Sequence, residues 1–466
     1  MPILNNFKAA SLLWGAQLLV LTAFLLALGS PLRAAEARIV GLHGLETAEV
    51  RSQGFTLLRA QKVHLYARGA GLQSLVPVRE DSPLFASGWL LNAATREVVW
   101  QMDGGNSRRE KGFRIADVTL DLPAGSYEAY FANHAFAQGV FLAQWSRNVD
   151  RRRVEAKLAE RPRGFLAAFG ADERGLLRQW QRQVGSYGME LYLPAGDPHE
   201  VVLFEAPLPW AHMAITLAAT GDRGAWHQAF KVHRPVDLHV YAVGEGTQRR
   251  MSDYGWILDV RTRQRVWEMT PERSQFAGGG SRNRRQVETL QLPPGDYVAT
   301  FVTDDNHSPA DWTVAPPCDP GRYGLALSLP RPGDAGALSL RALPEPGPVL
   351  AELVQVGNSQ DRSAPFDLTG STAVRIHALG EAGSHAMADT AWIEDASGKR
   401  VWELLKDQTH HAGGATKNRL ADTRVTLPKG HYLLRVKTDD SHAFGAWNSS
   451  PPREPERYGA TVYGVK

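Results

Sequence analysis

The sequence has little cysteine, little net charge and few long apolar runs. Its 466 residues include one cysteine, Cys318, so no disulfide can form within the chain. The formal net charge is +3, whereas nucleic-acid binding needs Lys and Arg gathered on one face. A P-loop, a nucleophile elbow and an H-E-x-x-H helix are also missing from the sequence. We therefore expect a fold stabilised by packing and no nucleic-acid partner.

One apolar run stands out, at residues 12–28. Lys8 precedes it, and small residues follow as far as Ala35-Glu36-Ala37. This order predicts a Sec signal peptide, residues 1–37, cleaved near Ala35 to Ala37. The alternative is an uncleaved membrane anchor, because the run approaches the roughly 20 residues that span a bilayer. We expect the protein to be periplasmic or secreted.

Glycine, proline and tryptophan are abundant, and a unit of the sequence is repeated. The 44 Gly, 28 Pro and 13 Trp residues indicate many short strands and turns. The segment 267–324 aligns without a gap onto 402–459, and a more diverged copy precedes them, in which 122–127 mirrors 292–297. The predicted units are repeat 1 (38–195), repeat 2 (200–332) and repeat 3 (348–466).

Repeat 1 carries an extra segment at about residues 140–183. Leu176, Leu177, Trp180 and Val184 recur at helical spacing, and the segment is rich in Arg. We predict a basic, amphipathic helical insertion. It either covers an edge of the sandwich as a solvated helix or contacts a membrane surface or a partner.

The alternation of apolar and polar residues predicts the fold class. Residues 236–243 alternate with period two, and Pro293-Pro294-Gly295 supplies a tight turn before the next strand. About seven short strands per unit are typical of a sandwich. We predict an all-β protein of three tandem antiparallel β-sandwich domains, immunoglobulin-like or jelly-roll-like, with a small helical insertion in the first. The tryptophans that recur in the repeats, such as Trp89 and Trp267, are expected in the cores.

Polar residues shared by repeats 2 and 3 are concentrated in three loops. In repeat 2 the first contains Asp253, the second Asn283, and the third runs from Asp304 to Trp312. If consecutive strands run up and down, all three loops emerge at one end of the sandwich, here called the rim. Repeat 1 differs, with Ala132-Asn133-His134 and no paired aspartates in the third loop. The candidate binding residues are Asp253, Asn283, Asp304, Asp305, His307 and Trp312 in repeat 2, and Asp389, Asn418, Asp439, Asp440, His442 and Trp447 in repeat 3.

The predicted metal ligands are the paired aspartates of the third loop. They are Asp304 and Asp305 in repeat 2, and Asp439 and Asp440 in repeat 3. With Asp253 or Glu245 nearby, such carboxylates would form an oxygen-rich pocket suited to Ca²⁺, while an adjacent His allows zinc. Trp312 and Trp447 equally suit a sugar or a peptide end. The structural alternative is that these residues only make turns and plug the end of the sandwich.

Two short stretches carry a resemblance to a known family. Residues 395–401 (Asp-Ala-Ser-Gly-Lys-Arg-Val) and 427–432 (Leu-Pro-Lys-Gly-His-Tyr) resemble the bacterial pre-peptidase C-terminal (PPC) type of β-sandwich. The resemblance covers only these strand-and-turn stretches. It implies a sandwich fold and export, as in accessory binding domains of secreted enzymes, and it implies no site.

The function expected from these patterns is binding without catalysis. The protein would be an exported binding protein whose rim loops engage Ca²⁺, a glycan or a cell-envelope protein. Membrane contact would come only from an uncleaved signal segment or the basic insertion. One alternative is a hydrolase using Asp304, Asp305 and His307 as metal or acid-base groups. A further alternative is an envelope scaffold in which tandem units give avidity.

Overall fold

The computed structural model describes residues 36–46, 49–71, 84–133, 182–194, 198–344 and 346–465. These residues form antiparallel sheets, so the all-β prediction is confirmed. No helix in the described ranges is long and apolar enough to cross a membrane. The predicted signal peptide and the predicted insertion at 140–183 lie outside the described residues, apart from the last two positions of each. Short 3-10 turns occur at Val184–Ser186, Pro198–Glu200, Pro320–Arg322, Pro332–Asp334, Lys406–Gln408 and Pro455–Arg457.

The strands follow one another in the same order in each repeat. Repeat 1 contains β1 Ala37–His43, β2 Glu49–Leu57, β3 Gln61–Gly71, β4 Leu84–Asn92, β5 Val98–Gln101, β6 Arg108–Glu110, β7 Phe113–Leu122, β8 Gly125–Asn133, β9 Gly188–Leu193 and β10 Val201–Phe204. Repeat 2 contains β11 Met213–Ala218, β12 Ala225–Val232, β13 Val236–Gly246, β14 Met251–Asp259, β15 Arg265–Glu268, β16 Gln275–Phe276, β17 Asn283–Leu292, β18 Gly295–Val302, β19 Gly324–Ser328 and β20 Leu338–Arg341. Repeat 3 contains β21 Val349–Leu353, β22 Asp361–Leu368, β23 Thr372–Glu381, β24 Thr390–Asp395, β25 Arg400–Glu403, β26 His410–His411, β27 Asn418–Leu427, β28 Gly430–Lys437 and β29 Gly459–Gly464.

Each repeat is built from two layers of strands. In repeat 3 one sheet has the order β21-β29-β23-β27-β26 and the other β22-β28-β24-β25. Repeats 1 and 2 have the same two layers, joined where β3 meets β4 and where β13 meets β14. They also carry one more edge strand each, β10 on β2 and β20 on β12. The sheets of repeats 1 and 2 therefore extend to Phe204 and Arg341, past residues 195 and 332.

The period-two alternation places the core between the layers. On β13, Val236, Leu238 and Val240 are buried in the core of repeat 2, while Asp237 and His239 between them are half-buried. The same tyrosine turn closes one hairpin of every repeat, with the phenol donating to a proline carbonyl four residues earlier. The pairs are Tyr127 with Pro123 (2.9 Å), Tyr297 with Pro293 (2.9 Å) and Tyr432 with Pro428 (2.8 Å).

A buried arginine joins repeat 1 to repeat 2. The Arg96 guanidinium donates to Glu128 of its own repeat at 2.6 Å and to Asp319 of repeat 2 at 2.9 Å, and all three residues are buried. Trp89 Nε1 donates to the Cys318 carbonyl at 2.6 Å. Trp89 therefore faces the junction and not the core of its repeat, contrary to the expectation for the tryptophans, whereas Trp267 lies in the core as expected. Burial raises the pKa of the Cys318 thiol to about 12, which makes it a poor nucleophile.

The equivalent arginine of repeat 2 reaches repeat 3. Arg263 Nε donates to Asp422 Oδ1 at 3.0 Å, and Arg375 Nε donates to the same oxygen at 2.8 Å. Arg96 and Arg263 both have a positive φ in the turn between two short strands, 60° and 61°. The two junctions are thus made by the same turn of successive repeats, which orients each sandwich on the one before it.

Candidate functional site

The β13–β14 hairpin sets two carboxylates of repeat 2 side by side. Glu245 and Asp253 are cross-strand partners next to a register shift at the end of the hairpin. Gly244 allows the strands to approach, since a Cβ there would lie 2.1 Å from the Asp253 carbonyl oxygen. Gly380 has the same role in repeat 3, where a Cβ would lie 2.3 Å from the Asp389 carbonyl oxygen.

The loop after β18 supplies the third carboxylate of repeat 2. Asp253 Oδ1 accepts the backbone N–H of Asp304 at 2.7 Å, and Asp253 Oδ2 accepts the hydroxyl of Tyr323 at 2.7 Å. Glu245, Asp253 and Asp304 each offer one oxygen, and the three oxygens lie within 4.8 Å of one another. Glu245 is 2% exposed and Asp253 is 0% exposed, while Asp304 is half-buried. We call these three residues the acidic cluster of repeat 2.

Repeat 3 has the same arrangement. Asp389 Oδ1 accepts the backbone N–H of Asp439 at 2.7 Å, and Asp389 Oδ2 accepts the hydroxyl of Tyr458 at 2.5 Å. Glu381, Asp389 and Asp439 form its acidic cluster, again with one oxygen of each within 4.8 Å of the others. Two glutamates and four aspartates far apart in the sequence therefore form two matching sites.

The glutamate of each cluster is held by a base on one side only. Glu245 Oε1 lies 2.8 Å from Arg282 Nε, and Glu381 Oε1 lies 2.6 Å from Lys417 Nζ. The other oxygen, Oε2, is buried in both glutamates and has no hydrogen-bond partner. A buried carboxylate oxygen without a partner is costly, and coordination to a cation would satisfy it.

Burial raises the pKa of Glu245, Asp253 and Asp304 in repeat 2 and of Asp389 in repeat 3. Removal from water, reinforced by Asp304 and opposed by Arg282, raises the pKa of Glu245 to about 8. Burial and the neighbouring Asp304 hold the pKa of Asp253 well above its usual range. In repeat 3, burial raises the pKa of Asp389 to about 6. Carboxyl groups so arranged repel one another when ionised, so a bound cation would stabilise the ionised form.

Asn283, His307 and Trp312 form a buried support behind the cluster of repeat 2. Asn283 Nδ2 donates to the carbonyls of Gly278 and Ala315, both at 2.9 Å, and its Oδ1 lies 2.6 Å from His307 Nε2. The His307 ring meets the Trp312 ring edge-on, with centroids 5.1 Å apart. These three predicted binding residues are all buried, so they tie the rim loops together and do not face solvent.

The support recurs in repeat 3. Asn418 Oδ1 lies 2.7 Å from His442 Nε2, and the His442 and Trp447 ring centroids are 5.1 Å apart. Asn418 and His442 are buried, whereas Trp447 is half-buried. Neither histidine is a member of an acidic cluster, so the zinc alternative finds no histidine ligand in these two clusters.

Two of the four predicted metal ligands lie outside the clusters. Asp305 is exposed, with its carboxylate 3.9 Å from the Arg223 guanidinium, and Asp440 is also exposed. Both residues lie in the loop after β18, where Asp304 Oδ1 also accepts the backbone N–H of Asn306 at 3.2 Å. Of the two carboxylates, only that of Asp304 belongs to the cluster. Asp304 and Asp439 are the members of each pair that join the clusters.

Sequence reasoning did not assign the remaining members of the clusters. Glu245 was named only as a neighbour, although a Gly-Glu pair stands at the same distance before the clustered aspartate in repeats 2 and 3. Tyr323 and Tyr458 stand at matching positions of the aligned segments 267–324 and 402–459, but the alignment does not show that they donate hydrogen bonds to Asp253 and Asp389. Recurrence of these residues in both repeats was the available signal, while their contact was hidden by their separation in the chain.

In the described part of repeat 1 the hairpin has the same register but lacks the paired carboxylates. Its cross-strand pair at the hairpin end is Ala70 and Ala86, both 0% exposed. A Cβ on Gly69 would lie 2.1 Å from the Ala86 carbonyl oxygen, so the close approach of the strands is retained. Phe113 begins β7 as Asn283 begins β17. Among the described residues of repeat 1, the hairpin end therefore pairs two alanines where repeats 2 and 3 have carboxylates.

Comparisons with known proteins give no family for this chain. No protein-family model and no curated protein matches it. Among solved structures, the CUB1-EGF-CUB2 domain of human MASP-1/3 matches with 10% identity and a TM-score of 0.17, covering 52% of this chain and 94% of that one. The lipid-containing bacteriophage PM2 matches with 9% identity and a TM-score of 0.14, covering 91% of this chain and 99% of that one. Likenesses this low carry no argument about function.

Proposed function

We propose that this protein is a non-catalytic, exported binding protein that holds one Ca²⁺ in each acidic cluster of repeats 2 and 3. The observation that carries the proposal is the pair of matching clusters, each with a buried glutamate oxygen that has no hydrogen-bond partner. The bound ions would fix the rim loops, and the rim would engage a glycan or a cell-envelope protein.

The chemistry of the ligand set favours Ca²⁺ over softer ions. Each cluster offers carboxylate oxygens only, and Ca²⁺ takes six to eight oxygen ligands in flexible geometry, including backbone carbonyls and water. Zinc prefers His and Cys ligands. Of the described histidines, His307 and His442 lie nearest in sequence to a cluster aspartate, and each has its Nε2 against an asparagine oxygen.

Binding is favoured over hydrolysis by the environment of the same histidines. A general base must reach a substrate proton directly or through one water. His307 and His442 are 0% exposed and lie behind the loops, next to Trp312 and Trp447. The exposed parts of the third loop include Asp305 and Asp440, which suit contact with a partner.

Calcium titration of the purified chain tests the proposal. We expect two bound ions by calorimetry and a rise in Tm, since Ca²⁺ at about 100 times its Kd adds about 2.7 kcal/mol to the free energy of unfolding. Asp253→Asn and Asp389→Asn should each remove one site. Tb³⁺ luminescence sensitised by Tyr323 or Tyr458 should report the one remaining site in each of these two variants.

The matched control replaces the aspartates that lie outside the clusters. Asp305→Asn and Asp440→Asn change the net charge of the chain by the same amount and should leave both ions bound. A wild-type chain that shows neither binding heat nor a change in Tm with Ca²⁺ or EDTA contradicts the proposal. Turnover of a polysaccharide or peptide that is lost on His307→Ala/His442→Ala would support the hydrolase instead.

A further inference from the structure

We propose that Arg282 and Lys417 are tethered counter-cations that compete with the metal ion for the acidic clusters. Without metal, each base is paired with the cluster glutamate. When the ion binds, the base swings towards solvent and leaves the carboxylate to the ion. The inference rests on the proposed Ca²⁺ sites and adds an element that sets their affinity.

Each base forms an ion pair with the cluster glutamate and has a side chain that is partly exposed to solvent. Arg282 Nε lies 2.8 Å from Glu245 Oε1, with side chains 42% and 2% exposed respectively. Lys417 Nζ lies 2.6 Å from Glu381 Oε1, with side chains 25% and 9% exposed. The acids are fixed inside the rim while the bases reach in from the surface. A long, partly exposed side chain can rotate into water with its charge, whereas the buried carboxylate cannot.

Each base already has a second acceptor outside the cluster. An Arg282 terminal nitrogen donates to Ser252 Oγ at 3.0 Å, and Lys417 Nζ donates to Asn448 Oδ1 at 2.7 Å. A base that releases its glutamate therefore keeps a hydrogen bond at the rim. When the base releases the glutamate, water replaces the carboxylate as its contact, and the side chain of the base stays near the site.

The base is present only in the repeats that have the acids. The position of Arg282, directly before the first residue of β17, is taken by Lys417 before β27 and by Gly112 before β7. Repeat 1 has alanines in place of the paired carboxylates and a glycine with φ 85° in place of the base. Acid and base are thus present together twice and absent together once, as expected for a single electrostatic unit.

The base forms an ion pair with only one of the two carboxylate oxygens of the glutamate that it contacts. Glu245 Oε2 and Glu381 Oε2 are buried without a hydrogen-bond partner, and one oxygen of each glutamate lies within 4.8 Å of the two aspartates. A monovalent base at the mouth of the cluster offsets part of the cost of these buried charges. A divalent ion that contacts all three carboxylates offsets more, and the base then repels it.

Removing the charge of one base tests whether that base competes with Ca²⁺ or only stabilises the buried glutamate. Lys417→Met keeps the length of the side chain, and we expect it to raise the Ca²⁺ affinity of repeat 3 on the order of tenfold at low salt. Arg282→Met should do the same in repeat 2. Calorimetry measures both. Lys399→Met, an exposed change in the same repeat, is the matched control for net charge and should leave the affinity unchanged.

The outcomes distinguish this inference from the proposed function. An unchanged or weaker affinity in Lys417→Met overturns the inference while calcium binding by the wild type still stands. If the wild type binds no Ca²⁺ and Lys417→Met does, the proposed function fails and the competition stands. If neither binds, both fail. In EDTA, Lys417→Met should lower the Tm. The double variant Lys417→Met/Glu381→Gln should recover part of the lost Tm. A Tm that does not change in Lys417→Met also overturns the inference.

Discussion

Repeat 1 and repeat 2 have the same strand order and the same hairpin register at the rim, but different side chains fill it. Ala70 and Ala86 stand in repeat 1 where Glu245 and Asp253 stand in repeat 2. Because the hairpin of repeat 1 forms with alanines at these positions, its backbone does not require carboxylates there. Burying two adjacent carboxylates is unfavourable by itself, so their presence in repeats 2 and 3 favours a ligand over an architectural role.

The largest effect is expected when the paired carboxylates of repeat 2 are introduced at the equivalent positions of repeat 1. Ala70→Glu/Ala86→Asp would bury two carboxylates without the base, so we expect a loss of about 3 to 5 kcal/mol in the free energy of unfolding. Urea denaturation at neutral pH measures it. Ala70→Gln/Ala86→Asn has the same size without charge and should lose less. Equal losses in the two variants would mean that packing, and not charge, forbids the acids.

A smaller effect is expected from removing the support behind the cluster. Asn283→Ala would leave His307 and the carbonyls of Gly278 and Ala315 without their partner. We expect a loss of about 1 to 3 kcal/mol and a weaker Ca²⁺ affinity in repeat 2. Asn306→Ala, in the same rim but half-buried, is the control and should change the free energy of unfolding little. A full-affinity Asn283→Ala variant would show that the support does not position the cluster.

The last prediction is a pH dependence that comes from the acidic cluster of repeat 3. The pKa of Asp389 is raised to about 6 in the folded chain, above its unfolded value near 4. The folded state therefore binds more protons between these values, and its stability falls as pH rises from about 4 to 6. We expect Asp389→Asn to remove this fall in EDTA, seen as the difference between the wild-type and variant Tm curves.

Other groups contribute with either sign, Glu245 in the same direction and His411 in the opposite one, so the difference curve is the informative one. Burial lowers the pKa of His411 to about 4, and this term makes the fold more stable as pH rises from 4 towards 6.5. A difference curve that is flat from pH 4 to 6 would contradict the raised pKa of Asp389. Saturating Ca²⁺ should oppose the fall in stability that Asp389 causes as pH rises, because the ion binds the ionised cluster.

The strands could be predicted because their signals are local. Alternation along β13 and the Pro-Pro-Gly turn before β18 fix strand and turn within a few residues. The edge strands β10 and β20 were missed, since their pairing with β2 and β12 joins residues far apart in the chain. The junction role of Trp89 was missed for the same reason, as its partner is the carbonyl of Cys318.

The candidate site could be predicted in part. Recurrence in repeats 2 and 3 selected loops that the structure brings together, and both Asp253 and Asp304 were among the candidates. Recurrence could not distinguish Asp304 from Asp305, because both are repeated and only the direction of each side chain separates them. Nor could it show that Asn283 and His307 face each other and not a ligand.

The sequence by itself determined that the chain is all-β, that one unit recurs and that certain polar residues are kept in the later copies. These properties follow from composition, period-two alternation and internal identity, which need no knowledge of contacts. The tertiary structure alone decided which carboxylates meet, which base faces Glu245 and which arginine joins one repeat to the next. Charges interact through space, and their cost depends on burial, so these features were fixed only when the strands paired and the rim closed.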